Sequence, residues 1–515
     1  MSNLKIKKVI VSVSDKNNLE ILLSYFEKMD IEVYSTGGTF EYIQNKNLKV
    51  KLYEISKISN FPEILNGKVK TLQPFIHAGI LCDKKNKSHL EQLKKLNLPI
   101  FDMVVVNLYP FSKAIKNYDT KFDDCIKQID IGGPAMIRAA AKNFPNIVVL
   151  SDPCQYKNFV DLATHNEKKI NFEFRKSLAQ EAFNKTAYYD AIINQWLNKD
   201  NKNFLQKKIT IPLTQVKKLR YGENPHQIGS LYKFSDNPIN QISGKEISYN
   251  NIFDLEIAIK LAYELDNQSC VILKHGNPCG VSTSSSQTKS YLAAFSADPI
   301  SAFGGIIAFN SQLTLETAKK LKNQFAELVI APKISRDAKL LLCQKKNLIL
   351  IEYKKKINNI PKINLRTTNN FILAQDQNNY KIKKSDLNNK TNHKPSINEY
   401  NDMIFAYKVC KYVNSNAIVI VKNLKTIGIG VGQTNRVDSA KQAIKKMKYR
   451  NKKVVNAILA SDGFFPFPDI VELCAKNSIS AIIQPGGSIN DPKIIAACQK
   501  NKISLVFTGK RQFKH

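Results

Sequence analysis

Residues 102–111 read DMVVVNLYPF. The continuous β-branched run suits a strand buried on both faces, and such strands belong to parallel sheets. The same pattern extends outward on both sides. KKVIVSVS (7–14) reads as a strand and KNNLEILLSYFEKMD (16–30) as an amphipathic helix. IEVYSTGGTFEYIQ (31–44) reads as strand, glycine-rich turn and helix, and NIVVLSD (146–152) as a further strand. Alternating strands and helices predict an α/β unit, doubly wound or related, with helices on both faces of its sheet. A helical block runs from about Lys176 to Trp196, and the polar LNKDNKNFLQKKI (197–209) reads as a linker.

A second α/β region follows Thr210. CVILKHG, GGIIAFN, AIVIVKN, VVNAILASDG, SAIIQPGG and KISLVFTG each read as a buried strand ending in turn residues. The recurrence predicts two related subdomains. EYKKKINNIPKINLRTTNN (352–370) and NNYKIKKSDLNNKTNHKPS (378–396) read as loops between them.

With 515 residues the chain is too long for a single core. At 43% hydrophobic and 23% charged it is globular in composition. No apolar run reaches the roughly 18 residues of a membrane span, and MSNLKIKKVIVSVSDKNN has no signal-peptide pattern. A cytoplasmic protein with no membrane partner is expected. The nine cysteines stand singly with no C-x-x-C pair, which argues against a disulfide framework and a zinc ribbon. The net charge of +34 raises a nucleic-acid partner. The lysines are spread along the chain, however, and compositional bias with anionic small-molecule substrates accounts for them better.

Several turns carry reactive groups. In VSVSDK and STGGT, hydroxyls, glycines and a lysine follow two strands, a composition that suits a phosphate monoester. No G-x-x-x-x-G-K-[ST] is present. NGKVKTLQPFIHAGIL, NLYPF and IDIGGPAMIRAAAKN bring two lysines, a tyrosine and an aspartate to strand ends, enough for acid, base and oxyanion roles. LRYGENPHQ joins an arginine, a tyrosine and a histidine, and ASDGFFPFPD places Phe464, Phe465 and Phe467 beside a strand end, as core or as a wall for a flat heterocycle. SCVILKHGNPCGVS (269–282) is the densest stretch. A buried strand delivers Lys274, His275 and Cys279 into a turn bounded by Gly276 and Gly280, and any of the three could do chemistry. A zinc deaminase signature is incomplete there. Ser282 stands where the second cysteine of P-C-x-x-C is needed, and Gly276 and Asn277 follow His275 where H-x-E is needed. No metal is expected.

Eleven stretches occur in one order along nearly the whole chain: VSVSDK, STGGT, GKVKTL, NLYPF, IDIGGPAMIRAAAKN, LRYGENPHQ, LKHGNPCGV, SAFGGIIAFN, GQTNR, SDGFFPFPD and QPGGS. In this the chain resembles the bifunctional purine-biosynthesis family that joins phosphoribosylaminoimidazolecarboxamide formyltransferase to IMP cyclohydrolase. The resemblance implies a methylglyoxal-synthase-like N-terminal domain over 1–200. It implies a formyltransferase region of two cytidine-deaminase-like subdomains over 201–515. The formyl group of 10-formyltetrahydrofolate would pass to AICAR, giving FAICAR, which closes to IMP. A homodimer is implied, with no nucleic-acid partner.

The resemblance also implies roles. His275 would be the base for the weakly nucleophilic AICAR amine, with Lys274 as neighbouring cation and Asn416 orienting the reactants. Cys279 is expected to matter least of the three candidates. Arg220, Tyr221 and Arg511 match AICAR-binding positions, and Phe303, Gly304, Phe464, Pro466 and Asp469 the folate side. Lys70, Tyr109, Asp130 and Lys142 match the cyclohydrolase residues. Asp130 would accept the amide proton and Lys70 stabilise the oxyanion. Ser12, Ser14, Lys16, Thr36, Gly37, Gly38 and Thr39 would hold the nucleotide phosphate, with Lys68 and Thr71 nearby. Three departures stand out. Lys68 and Gln73 replace the Arg and His of RVKTLHP. Asn369-Asn370 replaces a Gly-Gly pair, as residues able to adopt a left-handed turn. GKRQFKH replaces the common RHFRH at the end.

Overall fold

The computed structural model describes residues 4–515 apart from 60–64, 66–69, 117–120, 166–168, 202–204, 235–238, 354–362 and 451–453. The chain divides into two compact units, Met1–Leu213 and Thr214–His515.

The first unit is built on a parallel five-stranded sheet. Its strands are β1 (Lys8–Val13), β2 (Glu32–Ser35), β3 (Lys51–Glu54), β4 (Met103–Asn107) and β5 (Val148–Leu150), in the order β3-β2-β1-β4-β5. The opening stretch is β4. All five of its residues are buried, because it lies inside the sheet with helices over it. The helices α1 (Leu19–Lys28), α2 (Gly37–Gln44), α3 (Gly132–Lys142) and α4 (Phe172–Leu197) pack their apolar faces into the same core. The expected helical block is α4, with four more residues at its start, where Asn171 caps it by accepting from the Phe174 N–H at 2.8 Å.

The second unit repeats one motif twice. The first copy runs β6 (Ile239–Ser243), α5 (Tyr249–Glu264), β7 (Gln268–Lys274), β8 (Asn277–Ser284), α6 (Gln287–Ala297), β9 (Ile306–Phe309), α7 (Leu315–Lys322), β10 (Leu328–Ala331), α8 (Arg336–Leu342) and β11 (Ile349–Tyr353). The second runs β12 (Asn388–Asn389), α9 (Ile397–Cys410), β13 (Ile418–Lys422), β14 (Lys425–Gly430), α10 (Arg436–Arg450), β15 (Ala457–Ser461), α11 (Asp469–Ala475), β16 (Ile479–Gln484), α12 (Asp491–Lys500) and β17 (Ser504–Phe507). The two halves form one twelve-stranded sheet, β6-β11-β10-β9-β7-β8-β14-β13-β15-β16-β17-β12, joined where Ser282 pairs with Lys425. The repeat extends to single residues. Ser248 and Ser396 each close a capping box at the start of α5 and α9. Asp254 and Asp402 sit six residues after them.

Two expectations change. Asn277-Pro278-Cys279-Gly280 is not a turn but the start of strand β8, so the chain reverses in the two residues His275-Gly276 alone. Gly280 serves close packing instead. A Cβ there would lie 2.0 Å from the Ala294 carbonyl of α6, and at the equivalent Gly428 2.2 Å from the Ala443 carbonyl of α10. Gly280→Ala is therefore expected to destabilise the second unit by about 1–3 kcal/mol or more, measured as a lowered thermal midpoint with the first unit's transition unchanged. Second, the stretch 352–370 is not all loop. Ile363–Thr367 and Ile372–Asp376 form a hairpin, and neither Asn369 nor Asn370 at its turn has a positive φ. Of the phenylalanines after β15, Phe465 is fully buried core, while Phe464 and Phe467 are exposed, so the two alternatives divide among them.

Candidate active sites

In the first unit, parallel pairing aligns the carboxyl ends of β1, β2 and β4, with Val11 beside Ser35 and Val13 beside Asn107. Ser12 lies at the end of β1 and Ser14 just beyond it, and Lys16 follows, its Nζ 3.4 Å from the Val13 carbonyl. Thr36 precedes α2, whose first residue, Gly37, has φ +46°. The space over Gly38 is open, since a Cβ there would meet nothing within 4 Å. A helix N-terminus and free hydroxyls at the edge of a parallel sheet make a donor-rich cradle for an anion. Thr39 does a different job. Its Oγ1 donates to the Val13 carbonyl (3.0 Å) and accepts from the Val13 N–H (3.2 Å), which ties α2 to β1.

A second group gathers at the start of α3. The Asp130 carboxylate accepts the Gly133 N–H at 2.8 Å and the Tyr109 N–H, and burial pushes its pKa up. Thr71 reaches the same place, its Oγ1 only 2.7 Å from where a Gly132 Cβ would be. Lys70 stands next to it, its carbonyl accepting from Gln73 Nε2 at 3.2 Å. Gln73 is buried, so this residue braces the Lys70 turn. Lys142 is exposed at the far end of α3, about 15 Å along the axis from Gly132 at 1.5 Å per residue. Lys68 lies outside the described residues.

In the second unit, β7 and β8 meet in a turn of two left-handed residues, His275 (φ +50°) and Gly276 (φ +72°). Two positive φ values define the hairpin turn whose twist matches its strands. The His275 side chain is exposed. One residue holds this turn's amides. Asp254, on α5, accepts the His275 N–H at 3.1 Å and the Gly276 N–H at 2.7 Å. Lys274 turns the other way, its Nζ donating to the Phe303 carbonyl at 2.8 Å. Phe303 is exposed and packs on Phe325 with ring centroids 5.0 Å apart, beside Gly304 at φ +70°. Cys279 points inward. Its thiol donates to the Ile272 carbonyl, and burial pushes its pKa up to about 12, the opposite of what a nucleophile needs.

The loop before β13 comes to this turn directly. Asn277 Nδ2 donates to the His275 carbonyl (3.1 Å), and Asn277 Oδ1 accepts the Asn414 N–H (2.9 Å). Asn416 is two residues on, its amide donating to the Gln433 and Thr434 carbonyls at 2.9 and 3.2 Å. Beneath it, fully buried Asp462 pairs with Arg436 at 2.9 Å and accepts from the Ser415 hydroxyl. Arg436 also donates to the Phe464 carbonyl at 3.1 Å, and Pro466 accepts from Asn490 at 2.8 Å, just before Asp469 opens α11. The segment after β17 completes the cluster. The Gln512 N–H donates to the Asp462 carbonyl (2.9 Å), the Ser415 N–H to the Lys514 carbonyl (2.8 Å), and Lys514 Nζ to the Gly276 carbonyl (2.6 Å). Arg511 on this segment is exposed and stacks on Phe513 at 4.9 Å. Arg220 and Tyr221 occupy a turn closed by Gly222 N–H to the Gln227 carbonyl (2.7 Å), and its Glu223 carbonyl accepts from Asn250 on α5, 3.2 Å away.

The fold thus joins the His275 turn to the Asn414–Asn416 loop through Asn277, with Lys274 bonded to the Phe303 carbonyl and Arg436 to that of Phe464. Five residues that organise this site escaped the sequence reading: Asp254, Asn277, Arg436, Asp462 and Lys514. The capping-box spacing repeated in α5 and α9 could have pointed to Asp254 and its counterpart. Asn277, Arg436 and Asp462 lie inside the quoted motifs LKHGNPCGV, GQTNR and SDGFFPFPD, whereas Lys514 carries no local signal. Among the described residues, no group of three or more His, Cys, Asp or Glu could hold a metal ion.

Comparison with known proteins gives a consistent family. A family model described as AICARFT/IMPCHase bienzyme matches residues 140–446, and one described as an MGS-like domain matches residues 18–135. Three relatives bear the name bifunctional purine biosynthesis protein PurH. That of Caldicellulosiruptor saccharolyticus is 44% identical over 519 residues, covering 99% of this chain and 100% of its own. That of Fusobacterium nucleatum is 42% identical over 516 residues, again 99% and 100%. That of Clostridium perfringens strain 13 is 42% identical over 521 residues with the same coverage.

Proposed function

Because the chain belongs to the AICARFT/IMPCHase bienzyme family, we propose a division of labour in which the second unit transfers the formyl group and the first closes the ring. The protein is a bifunctional transformylase and cyclohydrolase of the last two steps of purine biosynthesis, and its transferase uses a folate-type formyl donor. We take the donor to be 10-formyltetrahydrofolate and the acceptor AICAR.

For transfer, the AICAR amine attacks the formyl carbon. The amine is conjugated to its ring and is a weak nucleophile, so its proton must leave as the bond forms. His275 takes that proton, since imidazole titrates near neutrality and its side chain is exposed at the tip of a pinned turn. Collapse of the tetrahedral intermediate expels the folate nitrogen, which is reprotonated, leaving FAICAR and tetrahydrofolate. Lys274 supplies positive charge beside the oxyanion, and Asn416 orients the formyl group. Arg220, Tyr221 and Arg511 receive AICAR, with the arginines toward its phosphate. Phe303, Gly304, Phe464, Pro466 and Asp469 flank the folate.

For closure, the FAICAR carboxamide nitrogen attacks the formyl carbon within the molecule and water is lost. Orientation supplies most of the rate. The cradle of Ser12, Ser14, Lys16, Thr36, Gly37 and Gly38 holds the phosphate, helped by Lys68 and Thr71, while Thr39 ties α2 to β1 beneath it. Asp130 accepts the amide proton, Lys70 meets the oxyanion and Tyr109 stands beside them, while Lys142, at the far end of α3, is not grouped with them. We infer small-molecule substrates rather than nucleic acid as partners, a homodimer, and a cytoplasmic location. Among the described residues no helix is long and apolar enough to cross a membrane.

The single observation that carries the transfer assignment is the junction of the His275 turn with the Asn414–Asn416 loop through Asn277. A two-arm assay tests the whole. Purified protein receives AICAR with 10-formyltetrahydrofolate, or FAICAR alone, and IMP is followed. Both arms are expected to yield IMP. No formyl transfer in the first arm sinks the transferase assignment, and no IMP in the second sinks the cyclohydrolase one.

A further inference from the structure

The internal repeat contains its own control for the His275 turn. In the second copy, the turn between β13 and β14 is Asn423-Leu424, with φ +52° and +54°. Asp402 on α9 accepts the Asn423 and Leu424 N–H groups at 2.8 and 2.6 Å, as Asp254 does for His275 and Gly276. A carboxylate gripping this turn is therefore a property of the fold and not of the chemistry.

What differs is the turn's carbonyl. The Leu424 carbonyl is satisfied from the first copy, accepting from the Thr283 N–H at 3.1 Å and the Ser282 hydroxyl at 3.2 Å. The equivalent Gly276 carbonyl has no strand there. It accepts instead from Lys514 Nζ at 2.6 Å, and the same ammonium reaches the Tyr412 carbonyl at 3.1 Å. The lysine arrives on the segment that carries Arg511 and is sewn to Ser415 and Asp462. Burial lowers the Lys514 pKa to about 8, and the nearby Asp254 carboxylate opposes that fall. A buried ammonium is costly to keep unless it is well partnered.

We propose that Lys514 is a positioning residue for formyl transfer: its ammonium clamps the Gly276 carbonyl, fixing the His275 turn against the loop that carries Asn416 and the segment that carries Arg511. This rests on the assignment of His275 as base. The clamp puts base, orienting amide and phosphate ligand on one hydrogen-bonded frame, so that binding the phosphate sets the amine within reach of the imidazole. Misplacement of a reacting group by about 1 Å can cost on the order of 100-fold in rate.

The test is steady-state kinetics of the full-length Lys514→Met and Lys514→Arg variants beside Asp254→Asn and Asp402→Asn. Lys514→Met is expected to lower kcat for formyl transfer about tenfold or more, with KM for AICAR changed less than about threefold. Lys514→Arg restores donors to both carbonyls and is expected to recover most of kcat. FAICAR cyclisation should match wild type in every variant. Asp254→Asn and Asp402→Asn should lower the thermal midpoint alike, yet only the former should lower kcat. The proposal is overturned if Lys514→Met keeps its kcat, if only KM moves, or if Lys514→Arg is no better than Lys514→Met. A wild-type protein without formyl transfer would instead overturn the assignment beneath it.

Discussion

His275→Asn loses formyl transfer by about 10²–10⁴-fold in kcat and cyclises FAICAR at the wild-type rate. Asparagine is the informative replacement because the turn is left-handed at this position, and the equivalent residue of the second repeat is Asn423 at φ +52°. Alanine would add backbone strain of roughly 1 kcal/mol on top of removing the imidazole. Asparagine keeps the turn and its bonds to Asp254, so any loss of rate belongs to the missing base. Thermal melting should show no change. Cys279→Ala supplies the contrast. Its thiol faces the core beside the Ile272 carbonyl and is held protonated by burial, so both activities should stay near wild type. Retention of more than a tenth of the transfer rate by His275→Asn would remove His275 from its role, and a dead Cys279→Ala would put the cysteine in its place.

Asp130→Asn is expected to lower FAICAR cyclisation about 100-fold or more while formyl transfer persists. The carboxylate accepts two backbone N–H groups, from Tyr109 and Gly133, so it organises the start of α3 as well as offering a base. An amide oxygen can still accept from the Gly133 N–H, which preserves much of that local structure and takes away the charge and basicity. Burial already raises the pKa of Asp130, which makes it a stronger proton acceptor than a solvated aspartate. Accumulation of FAICAR from AICAR and 10-formyltetrahydrofolate is the readout. Normal IMP production would show that Asp130 serves structure only.

Much of this was legible in the chain. DMVVVNLYPF read as a strand of a parallel sheet because only a doubly covered strand tolerates five buried residues in a row, and β4 is that strand. VSVSDK and STGGT were legible as glycine- and hydroxyl-bearing turns after strands, and parallel pairing sets both at the carboxyl edge of the sheet. The turn at His275 was read as running on through Gly280, since Asn-Pro-Cys-Gly looks like a turn by composition. Its residues extend because β8 pairs with β7 on one side and reaches β14 on the other. Gly280 looked like a turn glycine for the same reason, though its role is to admit α6.

Local periodicity and motif order determined the α/β class, the family and the menu of reactive groups. Those depend on neighbours a few positions apart, which sequence displays. The tertiary structure alone decided which groups meet and what holds them. Asp254 grips a turn 21 residues away and Lys514 one 238 residues away. Such bonds join a side chain to a backbone group of a distant segment, so beyond the repeated capping-box spacing that precedes Asp254 they leave nothing to read. They exist because the twelve-stranded sheet carries the first turns of α5, the end of β7, the loop before β13 and the segment after β17 to one place.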